Sequence, residues 1–360
     1  MENLGMIHFW NGRRVFVTGH TGFKGGWLSL WLQHMGAEVH GYALAPDTTP
    51  NLFNKAKVAD NMLSTIADIR DHAQLSQCMH DFKPEIVFHL AAQAIVRSSY
   101  QQPIDTYATN VMGTVHLLDS VRRCPSVRAV VNVTSDKCYE NRELSRGYVE
   151  TDPMGGFDPY SSSKGCSELV TAAYRNSFFS TTAYTHHRVG LATARAGNVI
   201  GGGDWACDRL VPDIIRAIQS GCPVRIRNPK STRPWQHVLE PLSGYLLLAE
   251  HLVKNGSEFS QAWNFGPEEI DIRTVEWVVN RLTKLWGQGA SWQLDTGAHP
   301  HEARLLHLDI TKSAQHLRWK PRWGIEESLQ RIVDWHQACD HSAEMRATTI
   351  SQIKEFCACQ

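Results

Sequence analysis

A doubly wound parallel α/β sheet is the fold class this sequence predicts, and three observations carry it. Short β-rich apolar segments alternate with helix-like ones through the first 200 residues, the rhythm of parallel strands joined by helices. The first of these segments runs directly into a glycine-rich loop and then a helix. After Gly201 the alternation fades, and residues 201–236 are rich in Gly, Pro and Arg, which predicts a smaller lobe interleaved in sequence with the first.

Arg14–Thr18 is the first predicted strand and 38–44 the second, with a helix over 25–35 between them. Residues 71–81 read as a helix and 85–90 (EIVFHL) as a strand. A helix over 105–123 precedes the strand 129–134 (AVVNVT), and a helix over 161–178 leads to the strand-like 189–198. Further on, 212–219 and 241–253 predict helices and 263–266 a short strand. The predicted division is 10–200 with 237–266 as one domain, 201–236 with 267–340 as the lobe, and 341–360 as a tail. The 12 tryptophans fall mostly at helix-period positions and read as core.

A chain of 360 residues suits one large α/β domain or two coupled ones. Its 36 basic side chains match 36 acidic ones, which removes the electrostatic case for nucleic acid or anionic membrane as partner. No apolar run approaches the roughly 18 residues of a membrane span, and the first residues lack a secretory pattern. Nine scattered cysteines without CxxC spacing predict reduced thiols in a cytoplasmic protein. Cys357 and Cys359 read as exposed thiols. His186–His187 and His299 to Glu302 lack a ligand set at metal spacing, so no metal is expected.

The loop Gly19-His20-Thr21-Gly22-Phe23-Lys24-Gly25 has G-x-x-G-x-x-G spacing. Glycines there allow a tight turn and let a pyrophosphate approach backbone N–H groups at a helix N-terminus. Gly19, Gly22 and Gly25 are therefore candidate ligands of a dinucleotide, in a Rossmann-type sheet. The acid that normally holds the adenosine ribose is missing near Ala43, and no arginine replaces it. NAD is the expected cofactor, held less tightly by about 1–3 kcal/mol for the missing charged hydrogen bond. Asp68 is a candidate adenine contact; a helix N-cap is its alternative role.

Tyr160 and Lys164 stand four residues apart, on one face of a helix. A nearby ammonium stabilises phenolate, so the pair predicts a tyrosine whose pKa falls from about 10 toward neutrality. Such a phenol can remove a proton from an alcohol.

Taken together, the glycine loop, His89-Leu90-Ala91-Ala92, Asn110-Val111-Met112-Gly113-Thr114, Tyr160 with Lys164, and Arg195-Ala196-Gly197-Asn198 resemble the extended short-chain dehydrogenase/reductase family over roughly 10–335. Within it, Thr134-Ser135-Asp136-Lys137-Cys138-Tyr139 resembles the segment that marks nucleotide-sugar 4,6-dehydratases. Lys137 stands where most of them carry glutamate. That departure, with GHTGFKG, TTPNLF, SDKCY and GNVIGGGDW, resembles the branch acting on CDP-glucose.

The resemblance implies a lyase of deoxysugar synthesis for lipopolysaccharide O-antigen. It implies NAD contacts from Phe23, Ile69, Leu90, Ala91, Ala92 and Thr134, besides Tyr160 and Lys164. Tyr160 and Lys164 would act at the sugar 4-hydroxyl with Ser135, Asp136 would be the acid, and Lys137 the C5 base or an electrostatic stabiliser. Asn198, Arg209, Arg233 and Arg304 fall where the family binds the diphosphate and its flanking groups. A homodimer through a four-helix bundle is implied as well. The rival readings are another nucleotide-sugar dehydratase, a C4 epimerase or reductase of the same family, and a noncatalytic NAD-sensing protein. Asp136 beside Lys137 argues against an epimerase, which has no use for an acid at C6.

Overall fold

The computed structural model describes residues 8–287, 289–295, 297 and 305–359. Seven strands form the central sheet: β1 (Arg14–Thr18), β2 (Glu38–Ala43), β3 (Leu63–Ile66), β4 (Ile86–His89), β5 (Ala129–Val133), β6 (Gly190–Arg195) and β7 (Ala262–Asn264). Their order is β3-β2-β1-β4-β5-β6-β7, and every neighbouring pair is parallel. The order reverses between β1 and β4, which opens a crevice at the carboxyl ends of the strands, where such sheets bind ligands.

The central strands are apolar on both faces because helices cover both. Val15 and Val17 of β1 join one core with Phe88, Val131 and Ala194, while Phe16 joins the opposite core with Val87, Val130 and Leu191. Helix α1 (Phe23–His34) buries Trp27, Leu28, Leu30, Trp31 and Leu32 in the first core. Helices α2 (His72–Phe82) and α3 (Gly113–Arg122) line the second. Helix α4 (Pro159–Ser177) starts sharply: Pro159 occupies its first position, and the Asp158 carboxylate accepts the Ser161 N–H at 2.9 Å.

Three elements depart from expectation. Strand β3 escapes sequence reading because it is a short edge strand whose side chains are mostly exposed, without the alternation that marks a half-buried strand. The predicted helix 105–123 is interrupted. A π-turn, Ala108–Met112, joins the segment Pro103–Tyr107 to α3, and it turns Asn110 inward, where its amide bonds Gln93 and Ser163. The third is the stretch 341–360, read as a tail. It contains a helix, Met345–Ala358, whose Met345, Ile353 and Phe356 belong to the first core.

A separate hydrophobic cluster joins the helix Leu210–Gln219, the short strand Val224–Ile226, the helix Val275–Trp286 and part of the helix Ile325–Asp340. Ten tryptophans are buried, among them Trp27, Trp31, Trp263 and Trp335.

Candidate active site

The glycine loop closes tightly on the sheet. Gly19 has φ +80°, and a Cβ there would lie 2.8 Å from Ala91 N. A Cβ at Gly25 would lie 2.1 Å from Gly19 O, so only glycine lets α1 approach β1 this closely. Gly22, by contrast, is exposed and begins α1 without a side-chain cap. The first N–H groups of the helix thus face the crevice unblocked, a fit for phosphate. Leu90 and Ala91 are held beside the loop by backbone N–H donation to Thr18 Oγ1, 3.1 Å each.

Beside the loop, His20 is fully buried, with its Nε2 2.7 Å from Ser64 Oγ and its ring over Gly41 of β2. Burial, with His40 nearby, pushes its pKa down to about 4. The end of β2 carries Ala43 and Leu44, with no carboxylate. Asp68 does not cap a helix: Asp71 caps α2, accepting the Gln74 N–H at 3.0 Å. Asp68 instead pairs with Arg70 at 2.7 Å, which holds its carboxyl below the usual range. Ile69 is buried against Gly113.

The side chains expected to react meet where β5 ends and α4 begins. Ser135 leaves the strand extended and accepts the Lys137 N–H at 3.2 Å, turning Asp136–Cys138 into a short 3₁₀ helix. The Ser135 hydroxyl donates to Asp136 Oδ1 at 2.9 Å. Asp136 is fully buried, and its Oδ2 has no partner among the described residues. That oxygen presses on Gly197, where a Cβ would come within 1.9 Å. Glycine in Arg195-Ala196-Gly197-Asn198 is therefore required by the carboxyl group. The Lys137 side chain is half-buried, and its ammonium makes no hydrogen bond or ion pair among the described residues.

Tyr160 and Lys164 are both buried in this corner, as their spacing predicts. Their electrostatics correct the expectation of a phenol primed by the ammonium. Burial pushes the Tyr160 phenol up to about 12; the Ser135 hydroxyl and Arg209 oppose that, while Asp136 adds to it. Burial also brings Lys164 down to about 8, and its Nζ donates to Val133 O at 3.3 Å. Desolvation is the largest influence on each of the two groups.

Among the residues expected to meet phosphate, Arg209 joins the centre. It pairs with the buried Asp204 at 2.9 Å, and its charge is felt by Tyr160 and Lys24. Asn198 takes a left-handed backbone (φ 46°), and its Oδ1 is buried without a partner among the described residues. Arg233 lies on the short strand Thr232–Pro234, opposite Arg273. Arg304 falls outside the described residues, as do His299 to Glu302. Both ring nitrogens of His187 serve the fold, facing Ser180 O at 2.9 Å and the Val189 N–H at 3.0 Å.

Sequence reasoning missed Lys24 and Glu168. Lys24, at the mouth of the glycine loop, is driven down to about 7 by burial and by the charges of Arg209 and Lys164. A lysine inside a phosphate loop is itself the signal that could have found it. Glu168 forms a buried ion pair with Arg195 at 2.9 Å and accepts the Thr134 and Thr193 hydroxyls at 2.5 and 2.8 Å. The Thr134 hydroxyl, expected near cofactor, is thus engaged within the protein.

The family model described as GDP-mannose 4,6 dehydratase matches residues 16–332. The chain is 58% identical over 349 residues to the CDP-glucose 4,6-dehydratase of Salmonella typhimurium, covering 97% of each protein. It is 26% identical over 340 residues to the dTDP-glucose 4,6-dehydratase of Xanthomonas campestris, covering 89% of this chain and 92% of that one. Among solved structures, the Bacillus anthracis dTDP-glucose 4,6-dehydratase in complex with NAD superposes with TM-score 0.75 at 22% identity, over 92% of this chain and 99% of that one. The Thermotoga maritima UDP-glucose 4-epimerase with UDP-glucose gives 0.78 at 21%, over 91% and 99%; at such identities the likeness is one of fold. Matched over residues 16–332 by that family model, and nearly end to end by a dehydratase of high identity, the chain belongs to the GDP-mannose 4,6-dehydratase family.

Proposed function

We propose that this chain dehydrates CDP-glucose to CDP-4-dehydro-6-deoxyglucose and water, with NAD as a recycled cofactor. The observation that carries this is 58% identity over 97% of both chains to a CDP-glucose 4,6-dehydratase, in a fold that buries Ser135, Asp136, Tyr160 and Lys164 together. The glycine cradle fits a dinucleotide, and Gly22 leaves the start of α1 open to its phosphates. Phe23, Ile69, Leu90, Ala91 and Ala92 border that cradle in our assignment. Bound NAD supplies hydride acceptance from C4 and its return to C6.

The chain's own groups move the protons. Tyr160, as the phenolate that Ser135 and Lys164 stabilise, removes the 4-hydroxyl proton and becomes the phenol. Asp136 gives a proton to the departing 6-hydroxyl; its Oδ2, without a partner among the described residues, supports an acid role. Lys137 takes the C5 proton in our reading. Lys137→Met is then expected to abolish exchange of the C5 hydrogen with solvent while sparing oxidation at C4; retained exchange contradicts the role. Arg209, Asn198, Arg233 and Arg304 are assigned to the sugar nucleotide, with guanidinium groups suited to its two phosphates.

We place NAD in the domain of 10–200 and 237–266, and the sugar nucleotide in the lobe of 201–236 and 267–340. A cytoplasmic enzyme feeding O-antigen synthesis completes the reading; among the described residues no helix is long and apolar enough to cross a membrane. A homodimer through a four-helix bundle is supported by Ile104, Tyr107, Met112 and Leu169, large apolar residues exposed on or beside the segments Pro103–Tyr107 and α4. Sedimentation of the purified chain checks it: Ile104→Glu should yield monomer where the unaltered chain gives dimer.

Incubation with CDP-, dTDP-, GDP- and UDP-glucose, with and without added NAD, tests the activity. The expected result is a 4-keto product, absorbing in strong alkali, from CDP-glucose alone, with added NAD raising turnover. A C4 epimer without loss of water, or no turnover of any of the four, contradicts the proposal.

A further inference from the structure

Helix α4 grips the end of β5 at two successive residues. Lys164 Nζ donates to Val133 O at 3.3 Å. One turn later, Glu168 Oε1 accepts the Thr134 hydroxyl at 2.5 Å. The next three residues are Ser135, Asp136 and Lys137. The Glu168 carboxylate is fixed in turn. It accepts Arg195 Nε and Nη2, 2.9 Å each, and the Thr193 hydroxyl at 2.8 Å. Arg195 Nη1 is anchored on the Tyr139 hydroxyl at 2.7 Å, at the far end of the same turn. Both sides of the Ser135–Cys138 segment are therefore tied, through one carboxylate, to the helix that bears Tyr160 and Lys164.

We propose that Glu168 is a positioning residue: acting through Thr134 and Arg195, it sets the distance between the Ser135–Lys137 turn and the Tyr160–Lys164 face of α4. Glu168 reaches no reacting atom; it holds the segments that do. The inference rests on the catalytic roles proposed above. Proton transfers need partners at hydrogen-bond range, and a misplacement near 1 Å can cost on the order of 10²-fold in rate.

Thr193 provides the control. Its hydroxyl meets the same carboxylate, but from within β6, away from the turn. Removing either hydroxyl takes one donor from Glu168 and leaves the Arg195 pair in place. The test compares the full-length chain with Thr134→Val, Thr134→Ser and Thr193→Val, at saturating NAD and CDP-glucose. Thr134→Val is expected to lower kcat by about 10-fold or more with KM for NAD and CDP-glucose little changed. Thr134→Ser should restore kcat, and Thr193→Val should keep it while shifting the urea midpoint as much as Thr134→Val does. Equal kcat loss in both valine variants, unchanged kcat in Thr134→Val, or a loss confined to KM for NAD overturns the proposal. Crystal structures of the two valine variants give a readout independent of the substrate: the Ser135–Tyr160 contact should open in Thr134→Val alone. If the unaltered chain fails to turn over CDP-glucose, the activity proposal falls, while that structural comparison still decides the clamp.

Discussion

Two buried charge clusters lie a turn apart on α4, and they are built on opposite rules. At Glu168 every oxygen is used: the carboxylate meets Arg195, Thr134 and Thr193, and Arg195 completes its donors on Tyr139 and Glu150 O. Despite burial, the Glu168 carboxyl is held below its usual range by Arg195 and the hydroxyls. At the corner of Asp136, Tyr160 and Lys164, proposed as catalytic, the pairing stays open. Asp136 Oδ2 has no partner among the described residues, Tyr160 is pushed up to about 12 and Lys164 down to about 8. The saturated cluster can hold geometry because its protons have nowhere to go. The unsaturated one can exchange protons because a ligand group can still complete it.

Three perturbations of buried groups sharpen this contrast, starting with the largest. Tyr160→Phe removes the proton acceptor and should lower turnover by about 10²–10⁴-fold, with the thermal midpoint close to that of the unaltered chain. A large fall in stability there would mean that the corner is structural as well. Glu168→Gln should do the reverse in emphasis. It strands the buried Arg195 guanidinium and is expected to cost about 3–5 kcal/mol in urea unfolding; a cost under about 1 kcal/mol would show that the ion pair does not hold this region.

The third perturbation concerns another buried carboxyl, Glu240 on the helix Leu239–Phe259. It accepts the backbone N–H groups of Arg322 and Trp323, yet burial pushes it up to about 7 from the ordinary 4.5. With the folded value above the unfolded one, its stabilising contribution is complete below about pH 4.5 and is lost as pH rises through about 7. Relative to Glu240→Gln, the unaltered chain should lose up to about 3 kcal/mol across that window. A pH-independent difference between the two would place Glu240 with Glu168, as a carboxylate kept ionised by its partners.

Much of this was legible in the sequence. The β1–loop–α1 unit shows itself through an apolar run, glycine spacing and a helix, all local signals. Tyr160 and Lys164 are found because helical periodicity alone brings residues four apart together. Glu168 obeys the same periodicity, one turn past Lys164, but nothing local says that its partners come from β5 and β6. The surroundings of Tyr160 are hidden for the same reason: the ammonium lies nearby in sequence, whereas the desolvation that pushes the phenol up comes from the whole fold. Strand β3 was overlooked because an exposed edge leaves no apolar pattern, and the break at Ala108–Met112 because a π-turn keeps helical composition.

The central claim is that a hydride leaves C4 of the bound hexose and returns to C6 of the same molecule while Tyr160, Asp136 and Lys137 manage the protons. CDP-glucose carrying deuterium at C4, mixed with unlabelled substrate of a distinguishable mass and turned over by the full chain, tests this most directly. The account predicts deuterium at C6 of the labelled molecules alone. Deuterium lost to solvent, left at C4, or found on the unlabelled partner would contradict it.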